Sequence, residues 1–345
     1  MLILGIETSC DETAVAIVER GETNRVLAEE IKSQIPLHAK YGGIVPEIAS
    51  RNHYEVIDLL TRRALKKSRR GIGEIDITAL TLGPGLIGSL LVGLSFAKGL
   101  AFAYRLPLVA VDHILAHIES AFITSPGIEY PLVALVVSGG HTSLFFQPQK
   151  FQTEILAKTR DDAAGEIMDK IATYFGLGYP GGPVLDRLYP EGDPERFTFT
   201  SPKMSDGSDD FSFSGYKTAV LRHARNSEPR IADKSLRDLL SSFLGAVTDY
   251  LLKKTVEAVK RLNVKSVVVS GGVSRNSLLR KKFAAKCAEI GVHLYLPDPA
   301  FCTDNASMVA WLGYEKYLAY PNLNYFDFYL NAYSRATFRE GTKHR

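Results

Sequence analysis

The chain has 345 residues, 46% of them hydrophobic and 23% charged, with a formal net charge of +3. That balance is ordinary for a soluble globular protein with a sizeable core, and the length suits two domains or a duplicated one. Three cysteines, Cys10, Cys287 and Cys302, are odd in number and widely spaced, which argues against a disulfide framework or a zinc ribbon and for a reducing cytosol.

The N-terminal stretch "MLILGIETSCDE" meets Glu7 early and has no basic leader, so a signal peptide is not expected. Leu2, Ile3, Leu4 and Ile6 precede a polar turn, and Ala14 to Val18 resume the apolar run, which reads as strand, tight turn, strand. "HAKYGGIVPEIASRNHYEVIDLL" is a Gly-Gly-Pro loop feeding an amphipathic helix. "IDITALTLGPGLIGSLLVGLSFAKGLAFAY" is a buried strand, a glycine-rich turn and a long apolar helix; "LPLVAVDHILAHIESAF" repeats strand then helix. This alternation predicts an α/β fold with a mostly buried sheet. The most apolar long stretch, 85–111, is broken by Lys98 and Arg105. It falls short of the ~20 apolar residues a spanning helix needs, so a cytoplasmic protein without membrane association is expected.

After "TSPGIEYP" the pattern restarts. "LVALVVSGGHTSLFFQ" is again strand, glycine turn, strand, and "VKSVVVSGGVSRNSLLRKKF" is strand, Ser-Gly-Gly turn, helix. The reading is an N-terminal α/β lobe over 1–127, completed by a C-terminal helical region at about 305–345, and a second α/β lobe over 128–304. The loops 178–187 and 200–218 are polar and glycine-rich, and are expected to take their order from a ligand. Basic runs occur at 62–70, at 280–282 and in the terminal "TKHR". Such runs are ordinarily solvated faces, and a charge of +3 permits a nucleic-acid partner without arguing for one.

The chemistry-bearing residues begin with His113 and His117. They stand four apart, so a helix puts both on one face, where two imidazoles can reach one metal ion. The spacing is that of the H-E-x-x-H zinc-protease motif, but Ile114 stands where its glutamate would be. The two histidines fall beside the stripe Ile114, Leu115, Ile118 and Phe122, so a pair of surface or partly satisfied histidines is the alternative. Asp304, just before a helical pattern, is either that helix's N-cap or a third, oxygen ligand. Three glycine turns, "GPGLIGS" at 83–89, "SGGHTS" at 138–143 and "SGGVSRN" at 270–276, follow apolar strands. Backbone N–H groups at such turns can approach a phosphate, and three together suggest a nucleotide. Asp11 and Glu12 sit at the first hairpin turn. Asp169 and Asp186 read equally well as surface acids.

Taken together and in order, "GIETSCDETAVAIV", "YGGIVPEIASRNH", "GPGLIGSLLVGLSFAKGLA", "DHILAHIESA", "LVVSGGHTSL", "GEIMDKIA", "GYPGGPVLD", "FSFSGYKTA", "VSGGVSRNSLLR" and "PDPAFCTDNASM" resemble the TsaD family, the bacterial tRNA N6-adenosine threonylcarbamoyltransferases once described as O-sialoglycoprotein endopeptidases. The resemblance runs along nearly the whole chain; Tyr216 departs from the leucine associated with the family.

The resemblance implies an actin-like ATPase or sugar-kinase-type fold, two duplicated lobes with a nucleotide cleft between them. His113, His117 and Asp304 match metal ligands, for one divalent ion, Fe2+ ahead of Zn2+. Val136, Val137, Ser138, Gly139 and Gly140 match a substrate loop. Asp169, Gly182, Asp186 and Asn276 match positions around the nucleoside, and Asp11 an acid implicated in catalysis. The implied donor is threonylcarbamoyl-AMP, and the acceptor is N6 of the adenosine 3′ of the anticodon in tRNAs reading codons that begin with A. The implied partners are tRNA, a TsaB paralogue and the ATPase TsaE. A metallopeptidase, or an ATP-dependent kinase or scaffold of the same fold, are the competing readings.

Overall fold

The computed structural model of the chain describes residues 1–202, 204–227, 233–335 and 339–340, without the side chains of 225–227 and 339–340; the basic "TKHR" tail lies outside them. The strands are β1 (Leu2–Glu7), β2 (Glu12–Glu19), β3 (Arg25–Ser33), β4 (Ile77–Gly83), β5 (Leu108–Asp112), β6 (Leu132–Val137), β7 (Thr142–Gln149), β8 (Gln152–Lys158), β9 (Ser266–Ser270), β10 (His293–Tyr295) and β11 (Arg339–Glu340). The α-helices are α1 (Ile35–His38), α2 (Pro46–Ser68), α3 (Ile87–Tyr104), α4 (His113–Thr124), α5 (Ala164–Tyr174), α6 (Gly181–Leu188), α7 (Ser214–Ser227), α8 (Lys234–Leu262), α9 (Ser277–Glu289) and α10 (Ala306–Ala319). Two compact units result: Met1–Thr124 with Thr303–Thr337, and Ser125–Cys302 with Phe338–Arg345.

The first unit holds the sheet β3-β2-β1-β4-β5. β1 pairs antiparallel with β2 and parallel with β4. All six residues of β1 are buried because both of its faces are covered, as a near-continuous apolar run requires. Leu2, Leu4 and Ile6 enter a core with Ile57, Leu60 and Ala64 of α2 and Leu94, Ala97 and Ala101 of α3. The alternate residues Ile3, Gly5 and Glu7 face the other way, where Gly5 meets Ala306 and Ala310 of α10. Helix α3 is long and apolar enough, by length and composition alone, to cross a membrane. Sequence reading placed this stretch short of that mark; Leu90, Leu94, Ala97 and Ala101 of α3 are buried in the unit.

The second unit repeats the pattern. Its sheet runs β10-β9-β6-β7-β8-β11. β6 again pairs antiparallel with the strand after it and parallel with a later one, β9. Val133, Leu135 and Val137 of β6 join Phe243, Leu244, Val247 and Leu251 of α8 in the core. Phe211, Phe213 and Tyr216 are buried there too, with Phe213 edge-on to Tyr250 at 5.7 Å between ring centroids. Within the segment 200–218, an aromatic core thus anchors Phe211, Phe213 and Tyr216. The segment 178–187 likewise contains α6, anchored by buried Leu185.

A methyl group on Gly5 would be driven into the Ala306 backbone carbonyl. Gly5→Ala should lower stability by about 1–3 kcal/mol through overpacking, read as a fall in the urea midpoint with an unchanged m value.

Candidate functional site

Helix α4 starts at His113 because Asp112 caps it: Asp112 Oδ1 accepts the N–H of Ile114 at 2.9 Å and of Leu115 at 3.0 Å. The two histidines then lie one turn apart with ring centroids 4.7 Å from each other. They are buried, 4% and 1% exposed, which removes the surface-pair alternative. Periodicity placed them beside the apolar stripe; α10 packs against α4 and beside β1, so the helix is covered on more than its apolar face.

Asp304 is not the cap of α10. That place belongs to Asn305, whose Oδ1 accepts the Met308 N–H at 2.9 Å. The Asp304 carboxylate is thereby left to the histidines, with Oδ1 3.1 Å from His117 Nε2 and 3.7 Å from His113 Nε2. One ligand atom from each of the three residues falls within 4.8 Å of the others. Two imidazoles and a carboxylate at this separation form a set suited to a divalent cation. Glu29 of β3 steadies the helix that follows: it accepts the N–H of Ala306 at 2.8 Å, that of Ser307 at 3.2 Å, and the Ser307 hydroxyl. Burial pushes its carboxyl up to about 7.

The electrostatics of the trio call for positive charge. Burial opposes charge on His113, yet Glu7 first and then Asp304 hold its imidazolium up to about 9. Asp11, 7% exposed, sits in the β1–β2 turn with its backbone carbonyl accepting the Gln34 N–H at 3.0 Å. Burial, then Asp11, then Asp304 raise Glu12 well above the usual carboxylate range, and the same three lead the rise at the Cys10 thiol. The Asp11 turn is thus within electrostatic reach of the trio.

The remaining site residues lie in the second unit. Val136 and Val137 end β6, and Ser138 turns the chain, its N–H donating to the His141 carbonyl at 2.8 Å. Gly165 at the start of α5 lies against the Ser138 carbonyl, its N–H donating at 3.1 Å. Asp169 is no free surface acid: its Oδ1 accepts the Gly181 N–H at 2.6 Å, tying α5 to the start of α6 beside Gly182. Asp186 accepts the Ser277 N–H at 2.9 Å and its hydroxyl at 2.8 Å. Asn276 caps α9 by accepting the Leu279 N–H at 2.9 Å, which leaves its Nδ2 buried with no hydrogen-bond partner among the described residues.

The three glycine turns separate here. Gly85 packs on the Ser9 backbone and Gly271, at φ +89°, on the Val137 carbonyl, so these glycines serve close packing. At Gly139 and Gly140, by contrast, a side chain would meet nothing within 4 Å.

A family model for TsaD, tRNA N6-adenosine threonylcarbamoyltransferase, matches residues 25–311. The chain belongs to the TsaD family. The tRNA N6-adenosine threonylcarbamoyltransferase of Caldicellulosiruptor bescii is 49% identical over 92% of this chain and 93% of its own length. That of Thermosipho africanus is 46% identical over 92% and 94%. Among solved structures, HypF of T. kodakarensis aligns over 92% of this chain and 48% of its own, with a TM-score of 0.63 at 16% identity. Component A of the (R)-2-hydroxyglutaryl-CoA dehydratase of Acidaminococcus fermentans gives 0.53 at 15%, over 92% and 98%. These two likenesses show the fold alone. As a TsaD-family protein, the chain is an acyltransferase of tRNA modification.

Sequence reading of this TsaD-family chain missed Glu7, which is buried against His113, and Glu29, half-buried at the first turn of α10. The signal for Glu7 was available: an acid inside the inward register of "LILGIE" must find a partner. The basic run 280–282 is also less free than it reads. Arg280 donates to the carbonyls of Ser274 and Pro297, each at 2.8 Å, and Lys282 pairs with Asp249 at 2.6 Å.

Because the folded chain raises His113 from 6.5 to about 9, its proton stabilises the fold fully below about pH 6.5 and is lost as pH rises through about 9. Metal-stripped protein should lose stability across that window in urea titrations, and His113→Gln should flatten the loss.

Proposed function

We propose that this chain transfers the threonylcarbamoyl group of threonylcarbamoyl-AMP to N6 of the adenosine 3′-adjacent to the anticodon, in tRNAs reading codons that begin with A. The observation that carries the reading is the His113–His117–Asp304 cluster, its histidines buried and its aspartate half-buried, in a chain of this family, with Ile114 in place of a hydrolytic base. The lone pair on adenine N6 is delocalised into the ring, so an activated acyl donor is a chemical necessity. A bond forms between N6 and the carbamoyl carbon, the bond from that carbon to the phosphate oxygen breaks, and AMP leaves.

His113, His117 and Asp304 hold one divalent ion, Fe2+ ahead of Zn2+, and the donor set suits either. The ion, when bound, supplies positive charge for the donor's phosphate and the departing AMP. Asp11, buried and within reach of the trio, orients the amine and takes its proton. In the second unit, the backbone N–H groups of Gly139 and Gly140, after Val136, Val137 and Ser138, receive the AMP moiety. Asp169 and Asp186 hold the starts of α6 and α9 in place around it, Gly182 keeps the approach clear, and Asn276 offers its unpartnered Nδ2–H. tRNA, a TsaB paralogue and the ATPase TsaE are the proposed partners, and the cytoplasm the setting. The exposed Arg63 and Lys66 of the 62–70 run are the residues we assign to tRNA phosphates.

A metallopeptidase is disfavoured by the geometry. Ile114 is 2% exposed, and the buried carboxylate of Glu7 is engaged at Nδ1 of His113, on the ring edge away from Asp304. The kinase or scaffold reading predicts vigorous ATP turnover without tRNA.

The test is single-turnover transfer from threonylcarbamoyl-AMP to tRNA, with partners added one at a time. His117→Ala and Asp304→Ala should each cut the rate by on the order of 10²-fold or more; Asp11→Ala should cost on the order of 10²–10⁴-fold. Full transfer by Asp11→Ala would remove Asp11 from the mechanism. Chelator-sensitive glycoprotein cleavage lost in His113→Ala would revive the peptidase.

A further inference from the structure

Glu7 is a buried charge that the transfer chemistry leaves unused, and its partners define what it does. It is 0% exposed at the end of β1. Its Oε1 accepts the Ser9 N–H at 2.5 Å, and its Oε2 accepts the Thr81 hydroxyl at 2.6 Å. The same Oε2 lies 3.0 Å from His113 Nδ1, with the Ser9 hydroxyl 3.2 Å from that nitrogen. An ionised carboxylate only accepts, so His113 Nδ1 meets it favourably only as an N–H donor. Nε2, the nitrogen on the Asp304 side, is then the one at which a cation can take a proton's place. His117 has no such arrangement: its Nδ1 is buried without a hydrogen-bond partner among the described residues.

We propose that Glu7 is a positioning residue, which locks His113 in the Nδ1–H tautomer and thereby sets how tightly the chain holds a divalent cation at His113, His117 and Asp304. This rests on the reading of that trio as a metal site. Carboxylate, imidazole and metal in series is a general way to fix a ligand ring and raise its basicity. A glutamine cannot substitute. With the amide oxygen on the Ser9 N–H, the NH2 would face Thr81 and His113; the Thr81 hydroxyl can turn to accept, but His113 Nδ1 can accept only as the other tautomer, with the proton moved to Nε2.

The full-length chain, stripped and then titrated with Co2+ and Zn2+ against a chromophoric chelator, tests this without reference to activity. Glu7→Gln should weaken affinity about 10–100-fold and shift the visible Co2+ spectrum. Thr81→Val, which removes one of the bonds holding Oε2, should weaken it less. Thr78→Val, an equally buried change on the same strand whose hydroxyl has no hydrogen-bond partner among the described residues, should leave it unchanged. Wild-type affinity in Glu7→Gln, or equal losses in the two threonine variants, would overturn the proposal. Should Glu7→Gln not fold, 15N-histidine spectra of the Zn2+-loaded wild type decide: a protonated Nδ1 on His113 supports the proposal, ligation through Nδ1 sinks it. A wild-type chain that binds no metal, or His113→Ala binding as well as wild type, would instead bring down the trio reading and this proposal with it.

Discussion

The arrangement at the trio depends on how closely helix α10 can lie on strand β1. Gly5 makes that approach possible, because the Ala306 carbonyl takes the space a side chain would need. The contact sets the height of the first turn of α10, and Asp304 stands two residues before it. Glu29 and Asn305 hold the same turn through its N–H groups. Two residues beyond Gly5, on the same face of β1, Glu7 reaches His113. The alternation of a single strand thus places both the helix that presents one ligand and the carboxylate that orients another.

This crowding concentrates acid where water is scarce. Glu7 stays below the usual range although burial works against its charge, because His113 is beside it. Glu12 and Cys10 cannot follow, and burial with the neighbouring carboxylates pushes both well up. An interior that raises an imidazole to about 9 is one in which positive charge is strongly favoured. A proton and a divalent cation compete for that field, so the buried acids that look costly to the fold are the source of the site's attraction for an ion.

How much of this was legible in the sequence differed by element. The two hairpins and the strand-turn-helix units announced themselves, since β1, β4, β6 and β9 are apolar runs bounded by polar or glycine turns. β3 and β8 did not: their residues are mostly half-exposed, so "RVLAEEIKS" and "QTEILAK" carry too weak an alternation. The histidine pair was legible as spacing, but its burial was not, because the covering helix α10 comes nearly 200 residues later in the chain. Asp304 and Asn305 cap about equally well by chemistry, so sequence could not choose between them; Asn305 takes the place. Asp169 looked free because its partner is a backbone N–H, which no side-chain pattern reveals.

The absence of a base beside the histidines is the most informative departure from a familiar pattern. A zinc peptidase needs a carboxylate placed to take a proton from water, and in the H-E-x-x-H spacing that carboxylate follows the first histidine. Here Ile114 fills the position and is buried. The carboxylate of Glu7 is held against His113 at Nδ1, with its two oxygens already accepting from Ser9 and Thr81. A mixed anhydride is prone to hydrolysis, and a transferase that activated water would destroy its donor before the amine arrived. Putting a fixed carboxylate behind the ring, on the edge away from Asp304, gives the imidazole the basicity a ligand needs while the position that carries the peptidase glutamate is filled by an apolar side chain.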